Sequence, residues 1–131
     1  MQASTFKQPL IALCVALSCG FAAQASAMTR AEYKAAEDRI AADYKAAKQR
    51  CDGLAGNAKD VCEKEAKGNE KIAKAELEAQ YKPSDKSRAK IAEAKADAAY
   101  DVAKEKCDDL AGNAKDVCQK DAKAAHSAAK T

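Results

Sequence analysis

A chain of 131 residues has room for one domain, and with 33% charged residues, 5% aromatic residues and no tryptophan it can build only a small apolar core. Its 23 basic and 20 acidic residues leave a net charge of +3 and alternate along the length, so no basic block is present to grip nucleic acid. Alanine, lysine and the acids dominate, β-branched residues are scattered singly, and no run alternates apolar with polar; a sheet protein is excluded.

Residues 1–27 read as a secretory signal peptide. Lys7 and the amino terminus give the positive end, Leu10 to Ala23 is almost wholly apolar, and Ala25-Ser26-Ala27 supplies the small-x-small cleavage pattern. The apolar stretch is shorter than the roughly 20 residues a spanning helix needs, so no stable membrane insertion is expected once the leader is removed. Twin arginines are absent, which points to the general export pathway. Both phenylalanines, Phe6 and Phe21, and two cysteines, Cys14 and Cys19, leave with this segment.

The remainder reads as helix throughout, in the segments 29–55, 58–82, 85–111 and 114–129. Thr29 with Glu32 forms a capping box at the first start. Tyr33, Ile40, Ala47 and Leu54 then recur every seven residues, with Tyr44 and Cys51 beside them, as one apolar stripe. Val61, Ala66, Ile72, Ala73, Leu77 and Tyr81 mark the second segment, which must stop before Pro83. Ser84 or Asp85 can cap the third, carrying Ile91, Tyr100, Val102 and Leu110. The fourth loses large apolar residues after Val117 and is expected to fray.

One cassette is written twice at an offset of 56 residues: YKAAKQRCDGLAGNAKDVCEKEAK from Tyr44 and YDVAKEKCDDLAGNAKDVCQKDAK from Tyr100, identical at 17 of 24 positions. Each copy holds two cysteines, Cys51 with Cys62 and Cys107 with Cys118, around a Gly-Asn pair. Gly56 and Gly112 suit the position just past a helix end, and Asn57 and Asn113 suit the N-cap that follows. Asp60 and Asp116 then fall where a carboxylate meets free N–H groups. Gly53 becomes Asp109 in the second copy, so the cassette does not require that glycine.

Four cysteines in an exported chain of this size signal disulfides. Eleven positions along a continuous helix span roughly 16 Å, beyond the ~7 Å between Cα atoms that a disulfide tolerates. Two arrangements remain. The chain can reverse at each Gly-Asn, giving two tandem αα-hairpins stapled by Cys51–Cys62 and Cys107–Cys118. Alternatively it reverses once, at Pro83, as one long hairpin with Cys51 facing Cys118 and Cys62 facing Cys107. The glycine at the same place in both copies, costing about 1 kcal/mol inside a helix, favours the first. The expected fold is therefore all-α, Ala-rich antiparallel helical hairpins, with repeat 1 over 28–83 and repeat 2 over 84–131.

Ten residues between cysteines is the wrong spacing for a thiolate metal site, which pairs its ligands two to four apart. Neither Cys-x-x-Cys nor Cys-x-x-Cys-His is present, nor a Gly-rich phosphate loop, nor a serine or cysteine with a local base. His126, the sole histidine, reads as a solvated residue near the tail. The acids read as surface ion-pair partners. Tyr33, Tyr44, Tyr81 and Tyr100 read as packing residues; Tyr44 and Tyr100 each precede a cysteine by seven positions, on the same helix face. Catalytic residues, cofactor and metal are expected to be absent.

The repeated Cys-Asp-x-Leu-Ala-Gly-Asn-Ala-Lys-Asp-Val-Cys resembles small Ala/Lys-rich periplasmic proteins of Gram-negative bacteria, often labelled TolA-like for their composition. The resemblance implies a cell-envelope location and carries over no activity and no functional residue. The expected role is structural, or an interaction with an envelope protein that the sequence does not identify. The alternative is a hydrophilic protectant of proteins or membranes under stress, like desiccation proteins with similar Ala-Lys-Asp repeats.

Overall fold

The computed structural model describes residues 27–130, so the signal-peptide reading of 1–27 lies outside the described residues apart from Ala27. Among them the chain is all-helical: α1 Arg30–Cys51, α2 Gly56–Tyr81, α3 Asp85–Cys107 and α4 Gly112–Ala129, with no strand. Thr29 caps α1 as a full box. Its N–H donates to Glu32 Oε2 at 2.7 Å, and Glu32 N–H donates to Thr29 Oγ1 at 3.2 Å. The Thr29 N–H, joined by the Thr29 hydroxyl donating to the same oxygen at 2.8 Å, holds the Glu32 carboxyl below its usual range.

At the other helix start away from the cassettes, Pro83 ends α2, whose C-cap is Lys82, and Ser84 is the N-cap of α3. Ser87 completes that cap. Its Oγ accepts from Ser84 N–H at 2.9 Å and lies 3.0 Å from the Lys82 carbonyl, to which it can donate. Ser87 is buried, so this one hydroxyl satisfies both sides of the α2–α3 turn.

Each cassette is a stapled hairpin. Cys51–Cys62 joins α1 to α2 with Cα atoms 5.6 Å apart, and Cys107–Cys118 joins α3 to α4 at 5.7 Å. The long-hairpin alternative is thereby overturned. The reversals, however, come earlier than expected. α1 and α3 stop at Cys51 and Cys107, not at 55 and 111, and the chain turns over residues 52–55 and 108–111. Backbone bonds Leu54 N–H to Cys51 C=O, 2.9 Å, and Leu110 N–H to Cys107 C=O, 3.0 Å, close these helix ends.

The helices form an open row. α1 touches α2, α2 touches α3, α3 touches α4, and no other pair among the described helices is in contact. The α2–α3 contact is the most extensive of the three, so the two hairpins pack on each other more closely than either packs internally. A row has no enclosed centre, and the buried set reflects that: Cys51 and Cys107 at 0% exposure, Leu77, and the alanines 66, 96, 98 and 122. One cysteine of each staple is therefore among the best-buried residues described, while its partner, Cys62 or Cys118, is half-buried.

Candidate functional site: the stapled tips and the α2–α3 seam

Antiparallel order puts both tips at one end of the row. Gly56 and Gly112 have φ of 57° and 55°, the left-handed region that a residue with a Cβ adopts only with strain. Each is the first residue of the outgoing helix, not the residue just past the incoming one. As a result Asn57 and Asn113 are not N-caps; that position belongs to Ala55 and Ala111, whose side chains cannot cap. Asp60 and Asp116 are likewise displaced beyond the first turn, which contains no acid in either helix. An offset of two residues in the helix start accounts for all three corrections.

Asn57 does something the sequence did not announce. Its Nδ2 donates to the carbonyl of Glu105 at 2.8 Å, tying the first tip to the last turn of α3. The same carbonyl accepts the N–H of Asp108, the C-cap of α3, at 3.0 Å, so the amide engages its second lone pair. Asn113, the identical residue in the second copy, is exposed, because no helix follows α4 among the described residues.

A second unannounced feature brackets each staple. Lys59 pairs with Asp52 at 3.3 Å and Lys115 with Asp108 at 2.8 Å, each bridging the turn of its own cassette. Between these pairs Leu54 and Leu110 stand 45% and 43% exposed, so the end of the row carries two apolar points within a charged rim. Leu54, expected to finish the α1 stripe, lies beyond the helix altogether; Tyr33, Ile40, Tyr44 and Ala47 are half-buried against α2 as expected.

The α2–α3 seam is built on a residue that the periodicity did not single out. A Cβ placed on Gly68 would fall 2.7 Å from the Cβ of Ala98, so the two backbones approach as closely as they do only because position 68 has no side chain. Ion pairs flank this contact: Lys64–Glu105 at 3.1 Å, Lys71–Asp101 and Lys106–Glu65 at 3.8 Å, Lys95–Glu76 at 3.0 Å and Lys90–Glu78 at 2.8 Å. Glu105 raises the Lys64 ammonium above its usual range, and Lys90 lowers the Glu78 carboxyl below its own. Both groups face solvent, so screening keeps each pair's contribution small; their arrangement sets register more than stability.

At the opposite end from the tips, two tyrosines pack as a pair. Tyr33 of α1 meets Tyr81 of α2 with ring centroids 4.5 Å apart, and burial is the first cause of the raised Tyr33 hydroxyl. On the second hairpin Tyr100 stacks on His126 at 4.8 Å. His126 is not a solvated tail residue: its Nε2 lies 2.6 Å from Asp97 Oδ1, and Lys130 reaches Glu93 at 3.0 Å and Asp97 at 3.3 Å. These contacts hold α4 helical to Ala129 where fraying was expected.

No group of three His, Cys, Asp or Glu side chains among the described residues is arranged to hold a metal. The grooves between neighbouring helices are open; the one along α2 and α3, about 520 Å³, is lined by Gly68, Ile72, Ala98 and Val102, with Glu65 and Lys106 on its rim. No helix among the described residues is long and apolar enough to cross a membrane. Comparison with protein-family models, with curated proteins and with solved structures finds no match to this chain.

Proposed function

We propose that this chain is an exported, non-catalytic helical protein of the periplasm, with a structural or protein-interaction role in the cell envelope. The observation that carries this reading is the pair of equivalent staples, Cys51–Cys62 and Cys107–Cys118. Disulfides persist where the surroundings are oxidising, and the leader-like residues 1–27 supply a route to such a compartment. The repeated cassette, with its resemblance to TolA-like Ala/Lys-rich proteins, supports the envelope as the place. Two tips fixed covalently, each with an exposed leucine, support a rigid surface for protein contact.

The alternative, a hydrophilic stress protectant, draws on one observation: Leu77 is the sole large aliphatic side chain that is buried among the described residues. Circular dichroism of the oxidised and reduced protein separates the two. A cooperative thermal transition that weakens sharply on reduction supports the interaction role. Low helicity in water that rises only on drying or with lipid supports the protectant and sinks the first reading.

A further inference from the structure

The internal repeat contains its own template for a partner. In the first repeat the outer face of α2 is covered by α3. Asn57 donates to Glu105, Val61 and Lys64 are half-buried, and Gly68 is buried against Ala98. Shifted by 56 residues, the same positions of α4 are Asn113, Val117, Lys120 and Ala124, and all four are exposed, Val117 at 46%. The complementary surface exists too. The α3 residues Ala98, Val102, Glu105 and Lys106 correspond to Ala42, Ala46, Gln49 and Arg50 on α1, all exposed. Among the described helices α1 contacts only α2, and α4 contacts only α3.

We propose that the partner of this open α4 face is α1 of a second copy of this chain, docked head to tail as α3 docks on α2. This deepens the interaction role proposed above and rests on it. Gln49 offers its backbone carbonyl to Asn113 where Glu105 offers one to Asn57. Asp121 meets Arg50 as Glu65 meets Lys106 at 3.8 Å. The other ion pairs of the seam are not reproduced: Lys120 meets Gln49, where Lys64 meets Glu105, and Ser127 meets Lys45, where Lys71 meets Asp101. Ala124 also carries the Cβ that Gly68 lacks, which holds α4 farther from α1 of the next copy than α2 is from α3. The contact is therefore looser than its template and the assembly reversible. Because the two faces differ, the arrangement does not close on itself as a symmetric dimer and can add copies at either end.

The experiment is sedimentation equilibrium of the oxidised protein recovered from an exporting host, with two variants, Ala42→Glu and Ala124→Glu. Both sites are exposed, so each variant keeps its helicity and its monomer unfolding transition. The expected wild-type result is a weight-average mass that climbs with concentration past that of a dimer. Each variant alone loses association, and an equal mixture of the two regains one contact, giving a dimer and nothing larger. A wild-type protein that stays monomeric at its highest soluble concentration overturns the proposal. So does a variant mixture that stays monomeric, or a wild-type dimer that neither variant disrupts. A monomer with a cooperative unfolding transition sinks the assembly alone, whereas loss of that transition in the oxidised wild type sinks the interaction role beneath it.

Discussion

Gly68 and Ala98 face each other across the α2–α3 seam with no room for another carbon between them, since a Cβ on Gly68 would lie 2.7 Å from that of Ala98. In an exposed helix Gly→Ala raises stability by about 1 kcal/mol through helix propensity. Here the contacting atom belongs to a short side chain on a helix and cannot swing aside. Gly68→Ala is therefore expected to destabilise the fold, by about 1–3 kcal/mol, through forced separation of the helices. Urea unfolding checks the sign. A gain in stability would mean that the seam is more yielding than its geometry indicates.

The two identical asparagines should behave differently. Asn57 bonds the Glu105 carbonyl across the seam, while Asn113 is exposed. At a concentration low enough to keep the protein monomeric, Asn57→Ala is expected to cost about 1 kcal/mol and Asn113→Ala close to nothing. Thermal melts of the two variants beside wild type provide the comparison. Equal losses would point to a role for the asparagine within its own cassette.

The staples give a chemical check on topology. Trypsin cutting after Arg50, Lys59 and Lys64 without reduction should release 51–59 linked to 60–64, and the second cassette should release 107–115 linked to 116–120. A product joining 51–59 to 116–120 would contradict the hairpins. Replacing Cys51 and Cys62 together with alanine is expected to cost about 2–4 kcal/mol, measured by denaturant unfolding, because the short loop is freed in the unfolded chain and the buried Cys51 position is left underfilled.

Much of this fold was legible in the residues because its constraints are local. Thr29 with Glu32, Pro83 with Ser84, and two cysteines too far apart for one helix each act within a few residues of themselves. Such constraints favour a reversal within each cassette, though not its exact residues. Less legible was everything that depends on which helix lies alongside which. Gly68 occupies an unremarkable place in an Ala-Lys-Glu run, and only the approach of Ala98 gives it a purpose. His126 looked like a tail residue because its partner, Asp97, sits 29 positions away on another helix. Asn57 was less legible for a subtler reason: the left-handed glycine before it already begins the helix, so the asparagine lies two residues past the N-cap, too late to cap, and reaches across to α3.

The far end of the second hairpin should respond to acid through Asp97. Its carboxyl is held below the usual value of 3.8, first by the hydrogen bond with His126 and then by Lys130, against some desolvation. A carboxyl whose pKa is lower folded than unfolded contributes stability that is complete above the unfolded value and disappears as pH falls through the folded one. The loss therefore begins near pH 4 and continues below it. Glu93 shares Lys130, and Tyr100 stacks on His126, so the remaining contacts of this cluster keep α4 attached in part as Asp97 is protonated. The pair is partly exposed and screened by solvent, which limits the contribution to less than about 1 kcal/mol. Glu32 and Glu78 shift in the same direction, so the wild-type acid limb alone does not isolate Asp97. Subtraction does: Asp97→Asn should lower stability at pH 6 and converge with wild type by about pH 2, where both carry an uncharged side chain. Amide exchange across α4 should show the same convergence, while the α1–α2 hairpin exchanges alike in both proteins. A stability difference that stays constant down to that pH would assign Asp97 a packing role in place of an electrostatic one.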